Sequence, residues 1–148
     1  MYGDPRLDLV FACFRDASTN AINSMVFLQD ATGFQGTTPV RLLATAGVRG
    51  VASGDIDGDG HVDLVFANSF SAGYTEIDSY IYWGQSEGNF NSQPTAIPTI
   101  GAEDVKVADI DGDGDLNLVS GERIAAVLDY ANTGTATNPA FVLRPGDA

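Results

Sequence analysis

Two aspartate-rich segments of the chain space their carboxylates in a way that suits metal coordination. The first, GDIDGDGHVD from Gly54 to Asp63, has aspartate at positions 1, 3, 5 and 9 when Asp55 is position 1. The glycines at positions 4 and 6 permit the backbone conformations of a tight turn, and residues two apart can then direct their side chains toward one centre. The predicted metal ligands are the carboxylates of Asp55, Asp57, Asp59 and Asp63 and the backbone carbonyl of His61.

The second segment, ADIDGDGDLN from Ala108 to Asn117, repeats the first at an offset of 54 residues. Its predicted ligands are the side chains of Asp109, Asp111, Asp113 and Asn117 and the backbone carbonyl of Asp115. It has one carboxylate fewer because asparagine occupies position 9. Since calcium affinity follows ligand charge, we expect weaker binding at this second segment.

The donor set indicates which ion would bind. Clustered carboxylates repel one another without a cation, and a hard ion that accepts six to eight oxygens at flexible geometry is Ca²⁺. Mg²⁺ takes fewer protein ligands in stricter geometry, and the segments lack the nitrogen and sulfur ligands of typical zinc sites. An EF-hand is excluded because position 12 is Phe66 or Ser120 instead of glutamate and the flanks read as strands. A metal-free Asp/Gly turn is the simpler alternative, and the complete second copy of the pattern argues against it.

The surrounding sequence repeats as well. A truncated third copy, Gly3–Ala12, matches Gly58–Ala67, and each unit of about 54 residues reads as four short strands joined by turns. This pattern predicts an all-β fold made of β-propeller blades, each of four antiparallel strands, with about three blades per chain. We expect a single domain over residues 1–148, with units at approximately 1–50, 51–104 and 105–148.

Three blades are too few to close a ring, because propellers have about four to eight. The chain is therefore expected either to be a fragment of a larger propeller or to associate with copies of itself, two copies making six blades. The termini suggest a calcium site divided between two copies: Asp147 of one copy would complete a loop formed by Asp4, Asp8 and the carbonyl of Arg6 in the next.

Composition excludes several kinds of partner. The formal net charge is −13, from 20 acidic and 7 basic residues, so phosphates of nucleic acids or anionic lipids would not be neutralised. No segment is long and apolar enough to span a membrane, and the first residues do not form a signal peptide, so we expect a mature or excised segment or a chain not exported by that route. The single cysteine, Cys13, cannot form an internal disulfide and is expected to be a buried thiol.

At the two Asp segments and at Trp83-Gly84…Gly88-Asn89-Phe90, the chain resembles the FG-GAP/VCBS repeat family, the blades of integrin-α-like propellers. The resemblance implies calcium in the loop that joins the first two strands of a blade, and it carries the eight side-chain ligands named above over to that role. It also implies an extracellular or cell-surface location and a function in adhesion, protein contacts or sugar binding.

We therefore expect a calcium-binding structural or ligand-binding scaffold and not an enzyme. His61 is the only histidine, and no catalytic motif is present. One alternative is a lectin-like propeller that offers aromatic faces to a glycan or peptide, formed by Tyr74, Tyr80, Tyr82, Trp83 and Tyr130. Core packing is the more ordinary role for Trp83. A second alternative is a propeller belonging to a larger polysaccharide-acting enzyme.

Overall fold

The computed structural model describes residues 7–15, 19, 21–34, 41–70, 76–123, 126–135 and 138–144. These residues form an all-β structure of antiparallel sheets, which confirms the all-β part of the predicted fold. The strands are β1 Leu9–Phe11, β2 Asn23–Phe27, β3 Arg41–Ala44, β4 Val48–Gly54, β5 Asp63–Asn68, β6 Ser79–Tyr82, β7 Gly84–Gln85, β8 Asn89–Phe90, β9 Thr95–Ile97, β10 Ala102–Ala108, β11 Asn117–Glu122, β12 Val127–Asn132 and β13 Phe141–Leu143. The 3₁₀ turn Ser86–Gly88 joins β7 and β8.

The strands form three main antiparallel sheets, and in each the order across the sheet follows the order along the chain. The first sheet is β1-β2-β3, the middle sheet is β4-β5-β6-β9, and the last sheet is β10-β11-β12-β13. Strands β7 and β8 form a separate two-stranded hairpin between β6 and β9, which the predicted pattern of four strands per unit did not include. Such up-and-down order follows from short alternating strands joined by tight connections.

The sheets pack face to face, and the middle sheet is covered on both sides. One apolar layer joins the first and middle sheets and contains Val26, Leu43, Val48, Leu64, Phe66 and Tyr82. The other joins the middle and last sheets and contains Ile56, Val65, Ala67, Ile81, Ile97, Ala102, Val105, Leu118, Leu128 and Tyr130. All six residues of β5 are buried, because successive side chains of this strand enter opposite layers.

Hydrogen bonds between buried hydroxyls recur in the first and middle sheets at the repeat spacing. Ser24 Oγ lies 2.9 Å from Thr45 Oγ1, which donates to the Ile22 carbonyl at 2.8 Å. Ser79 Oγ lies 2.9 Å from Thr99 Oγ1, which donates to the Ile77 carbonyl at 2.7 Å. A geometry repeated to within about a tenth of an ångström shows that the two sheets are structural repeats.

Tyrosines connect each sheet to the one before it. The Tyr82 hydroxyl, from the middle sheet, donates to the Ala44 carbonyl at the end of the first sheet over 2.7 Å. The Tyr130 hydroxyl, from the last sheet, donates to the Pro98 carbonyl just after β9. The sheets therefore stack by a repeated contact. Among the described residues, no helix has the length and apolar character needed to cross a membrane.

Candidate metal centre

The two Asp segments occupy equivalent places in the fold. The first loop, residues 55–62, connects β4 to β5, and the second loop, residues 109–116, connects β10 to β11. Gly58 and Gly60 have φ of 67° and 89°, and Gly112 and Gly114 have φ of 77° and 96°. Non-glycine residues rarely adopt such values, so the glycines at positions 4 and 6 give both loops the same turn.

Three hydrogen bonds fix this turn in both loops. The side chain at position 9 accepts the N–H of position 2: Asp63 from Ile56 at 2.7 Å, and Asn117 from Ile110 at 2.9 Å. The carboxylate at position 1 accepts the N–H of position 6, at 3.0 Å in the first loop and 3.2 Å in the second. The carboxylate at position 5 accepts the N–H of position 7, at 2.8 Å and 2.9 Å.

These bonds hold acidic side chains close together. Oxygens of Asp55, Asp57 and Asp63 lie within 4.8 Å of one another in the first loop. Oxygens of Asp109, Asp111 and Asp113 do so in the second loop. Asp59 is not a member of the first cluster. Each loop therefore gathers three of its predicted carboxylate ligands. They occupy positions 1, 3 and 9 in the first loop and positions 1, 3 and 5 in the second.

Asp63 is the best-anchored member of the first cluster. It is fully buried, and its second carboxylate oxygen accepts the Gly84 N–H at 2.7 Å in addition to the bond from Ile56. Gly84 lies so close to the Val62 carbonyl that a Cβ would collide with it, so glycine is required for this approach. Asp63 thus connects the loop to the start of the β7–β8 hairpin while retaining oxygen lone pairs for a cation.

The carboxylates of the first loop are held at an electrostatic cost. Burial, with a smaller contribution from Asp57 and Asp59, raises the pKa of Asp63 to about 6 despite its two backbone hydrogen bonds. Burial and the neighbouring Asp59 and Asp55 also raise the pKa of Asp57. A cation among these oxygens would favour their ionised form and remove this cost.

Asn117 accepts one backbone hydrogen bond, whereas Asp63 accepts two. Its side chain is fully buried, and its Oδ1 accepts the Ile110 N–H, but its Nδ2 has no hydrogen-bond partner. An amide presents one acceptor where a carboxylate presents two, so Asn117 cannot reproduce the bond from Asp63 to Gly84. The second loop is correspondingly less firmly anchored at position 9.

Asp8 shows that the anchoring contact is part of the repeat. Its Oδ1 accepts the Gln29 N–H at 2.9 Å, and both residues lie 55 positions before the Asp63–Gly84 pair. The other residues of the predicted divided site, Asp4, Arg6 and Asp147, lie outside the described residues. The divided site stays a prediction.

The second loop also contacts a cation from within the chain. Arg144 Nη2 pairs with Asp111 Oδ2, and Arg144 Nη1 lies 3.3 Å from Asp129 Oδ2 on β12. Sequence reasoning missed this residue, because nothing in the spacing of Arg144 relates it to a loop 33 residues earlier.

The available donors fit a hard divalent ion. Both clusters offer carboxylate oxygens alone, the chemistry that Ca²⁺ prefers. The N–H groups of His61 and Asp115 donate hydrogen bonds within the turn. Their carbonyls remain predicted additional ligands. The two clusters could each hold a metal ion.

Where the structure describes them, the aromatic residues considered for ligand stacking contribute to packing. Tyr82 and Tyr130 are buried, and Tyr80 and Trp83 pack against the two apolar layers. The Trp83 Nε1–H donates to Thr95 Oγ1 at 2.8 Å, consistent with the structural role expected for it. Tyr74 lies outside the described residues.

The stacked antiparallel sheets, with an Asp loop between the first two strands of the middle sheet and of the last sheet, define a repeat protein with candidate metal-binding loops. The family model of the FG-GAP-like repeat matches residues 1–66, which include the first Asp loop, and the predicted resemblance is confirmed over this segment. No curated protein matches the chain. The match indicates a β-propeller-type repeat scaffold.

Proposed function

We propose that this chain is a non-enzymatic, calcium-binding propeller scaffold in which Ca²⁺ at the two Asp loops stabilises the stacked sheets. The observation that carries the proposal is that two loops 54 residues apart form the same turn and each gather three carboxylates. A turn needed only for chain reversal would not require three mutually repelling side chains. An extracellular location, where calcium is abundant, agrees with the proposal.

Specific residues would hold the ion. In the first loop Asp55, Asp57 and Asp63 supply the clustered oxygens, and in the second loop Asp109, Asp111 and Asp113 do so. The bound ion supplies positive charge that offsets their repulsion. Because these oxygens converge only in the folded loop, the ion binds the native state preferentially and raises its stability by mass action.

Calorimetry with and without calcium tests this proposal. We expect EDTA to lower the melting temperature of the wild type, and Asp55→Ala and Asp57→Ala to reduce the difference between the two conditions. Glu76→Gln, which removes an exposed acid outside both loops, is the control and should keep the full difference. A wild-type melting curve that does not change on chelation would contradict calcium linkage.

We further propose that the outer faces of the stack pack against a second copy. Leu9 and Phe11 on β1 are 43% and 49% exposed, whereas Leu64 and Phe66, 55 residues later, are fully buried against the first sheet. At the other end Ile110 is 47% exposed, whereas its equivalent Ile56 is buried against the last sheet. The exposed faces are thus repeats of faces that bury against a neighbouring sheet.

A head-to-tail contact of this kind joins two different surfaces and closes only if the rotation allows it. Sedimentation should therefore give a mass of twice 15.5 kDa or a higher multiple. Val127, on β12 of the last sheet, is 60% exposed. Leu9→Glu in the first sheet and Val127→Glu in the last sheet should each reduce the mass to that of the monomer. A wild-type monomer would contradict this association.

A further inference from the structure

Arg144 connects the end of the last sheet to the second Asp loop. Its backbone N–H donates to the Asp129 carbonyl at 2.9 Å, which continues the β12–β13 pairing by one residue. Its guanidinium lies between two carboxylates, Nη1 beside Asp129 Oδ2 and Nη2 bonded to Asp111 Oδ2. The backbone bond and the Asp129 contact hold the cation in this position.

The bond to Asp111 uses an oxygen of a predicted metal ligand. Asp111 occupies position 3 of the second loop and is one of its three clustered carboxylates. An oxygen directed toward a guanidinium N–H is less available to a metal ion. A positive charge at this distance also repels a second cation in the cluster.

The first loop has no such cation in the described part of the chain. None of Asp55, Asp57 and Asp63 pairs with a lysine or arginine there. Leu64 pairs with Tyr82 and Leu118 pairs with Tyr130, so the two tyrosines are equivalent positions. By the same register Thr95, opposite Ile81, takes the place of Arg144 opposite Asp129.

Of these two equivalent positions, the one beside the first loop is the neutral Thr95, and the one beside the second loop is the charged Arg144. Thr95 accepts a hydrogen bond from Trp83 and takes no part in the first cluster. Asp129, which anchors the guanidinium, replaces the buried core residue Ile81. Both members of the Asp129–Arg144 pair are thus particular to the last sheet.

We propose that Arg144 is an internal competitor for calcium at the second loop and gives the two loops different calcium thresholds. Calcium binds the second loop only when the guanidinium leaves Asp111, whereas the first loop binds without displacing a side chain. This inference rests on the proposed calcium function and adds a residue that sets affinity. It predicts that removing the Arg144 charge strengthens calcium binding at one loop alone.

Calcium titration followed by ¹H–¹⁵N NMR tests the inference, because one amide in each loop reports that loop. The Gly60 N–H bonds to Asp55, and the Gly114 N–H bonds to Asp109. In Arg144→Gln we expect the dissociation constant reported by Gly114 to fall about fivefold, the scale of a partly exposed ion pair. The constant reported by Gly60 should not change.

Two variants serve as controls. Lys106→Gln removes one positive charge from the same sheet, but Lys106 pairs with Asp104 at 2.9 Å and contacts neither loop, so it should leave both constants within about a factor of two. Arg144→Lys keeps the charge and should stay closer to the wild type than Arg144→Gln. This conservative variant also keeps the test informative if Arg144→Gln unfolds.

The outcomes separate the two proposals. An unchanged Gly114 constant in Arg144→Gln, or an equal gain in Lys106→Gln, would overturn the role of Arg144 while leaving calcium binding intact. If neither Gly60 nor Gly114 responds to calcium in the wild type, the calcium function itself fails.

Discussion

The first and second Asp loops share a turn but differ in what surrounds them. In the first loop Ile56 is 3% exposed, since the last sheet packs over it. In the second loop the equivalent Ile110 is 47% exposed. Position 9 adds a further difference, because Asp63 binds two backbone N–H groups and Asn117 binds one.

The local turn is the same in the two loops, and the packing around it differs. Both loops have the glycine conformations and the three common hydrogen bonds, so the local sequence is sufficient to form the turn. Tertiary packing then decides how firmly the carboxylates are held, and ligands held by a rigid surrounding bind metal at a lower cost in ordering. The first loop is packed and free of a competing arginine, and we expect it to bind calcium more tightly.

The largest expected effect compares Asp63→Ala with Asn117→Ala in the metal-free protein. The first change leaves the buried N–H groups of Ile56 and Gly84 without acceptors, and the second leaves only the partly buried N–H of Ile110 without one. We expect losses in the free energy of unfolding of about 3 and about 1.5 kcal/mol, because each unsatisfied buried group costs about 1–3 kcal/mol. Urea denaturation in EDTA measures both.

Asp55→Ala is a matched control for this pair, since it removes a loop carboxylate that accepts a single exposed N–H. It should destabilise the metal-free protein less than Asp63→Ala. Equal losses for Asp63→Ala and Asn117→Ala would mean that the contact with Gly84 does not stabilise the fold.

The sequence was sufficient to predict the all-β class and the turns of the two Asp loops, because both follow from local patterns. Alternating short apolar runs predict strands, and Asp at every second position with intervening glycines predicts the turn. The anchoring of Asp63 by Gly84 was not foreseen, since it joins residues 21 apart through a hairpin that the sequence did not reveal. The pairing of Arg144 with Asp111 depends on the packing of a strand end against a distant loop, which no local pattern encodes.

The next largest effect is expected on calcium affinity, when the residues at position 9 of the two loops are exchanged. Asn117→Asp adds a carboxylate to the second loop and should strengthen its calcium binding about tenfold, since affinity follows ligand charge. Asp63→Asn should weaken the first loop by a similar factor and leave Gly84 without its acceptor. Isothermal titration calorimetry of the two variants and the wild type measures the change.

A protein with both Asp63→Asn and Asn117→Asp distinguishes the effect of position 9 from the other differences between the loops. If position 9 alone sets the difference between the loops, a protein with both changes should show the two affinities reversed. If packing and Arg144 also contribute, the ratio of the two affinities should be reversed only in part. The second outcome is the one that the structure supports.

The smallest expected effect is the pH dependence of the metal-free protein at Asp63. Its pKa is about 6 in the folded state, above the ordinary value of about 4 in an unfolded chain. Between these values the folded state binds more protons, so this group stabilises the fold as the pH falls. Relative to Asp63→Asn, which cannot titrate there, the wild type should gain about 1 kcal/mol in EDTA between pH 7 and pH 5.

Calcium should reverse the sign of this pH dependence, because the ion requires the ionised carboxylate. As the pH falls through about 6, protonation of Asp63 competes with calcium, and the apparent affinity of the first loop should decrease. The second loop has an amide at position 9 and should lose less affinity over the same interval. Parallel loss at both loops, reported by Gly60 and Gly114, would show that Asp63 does not control the difference. Opposite slopes for the metal-free and calcium-bound protein would instead trace both effects to this one buried carboxylate.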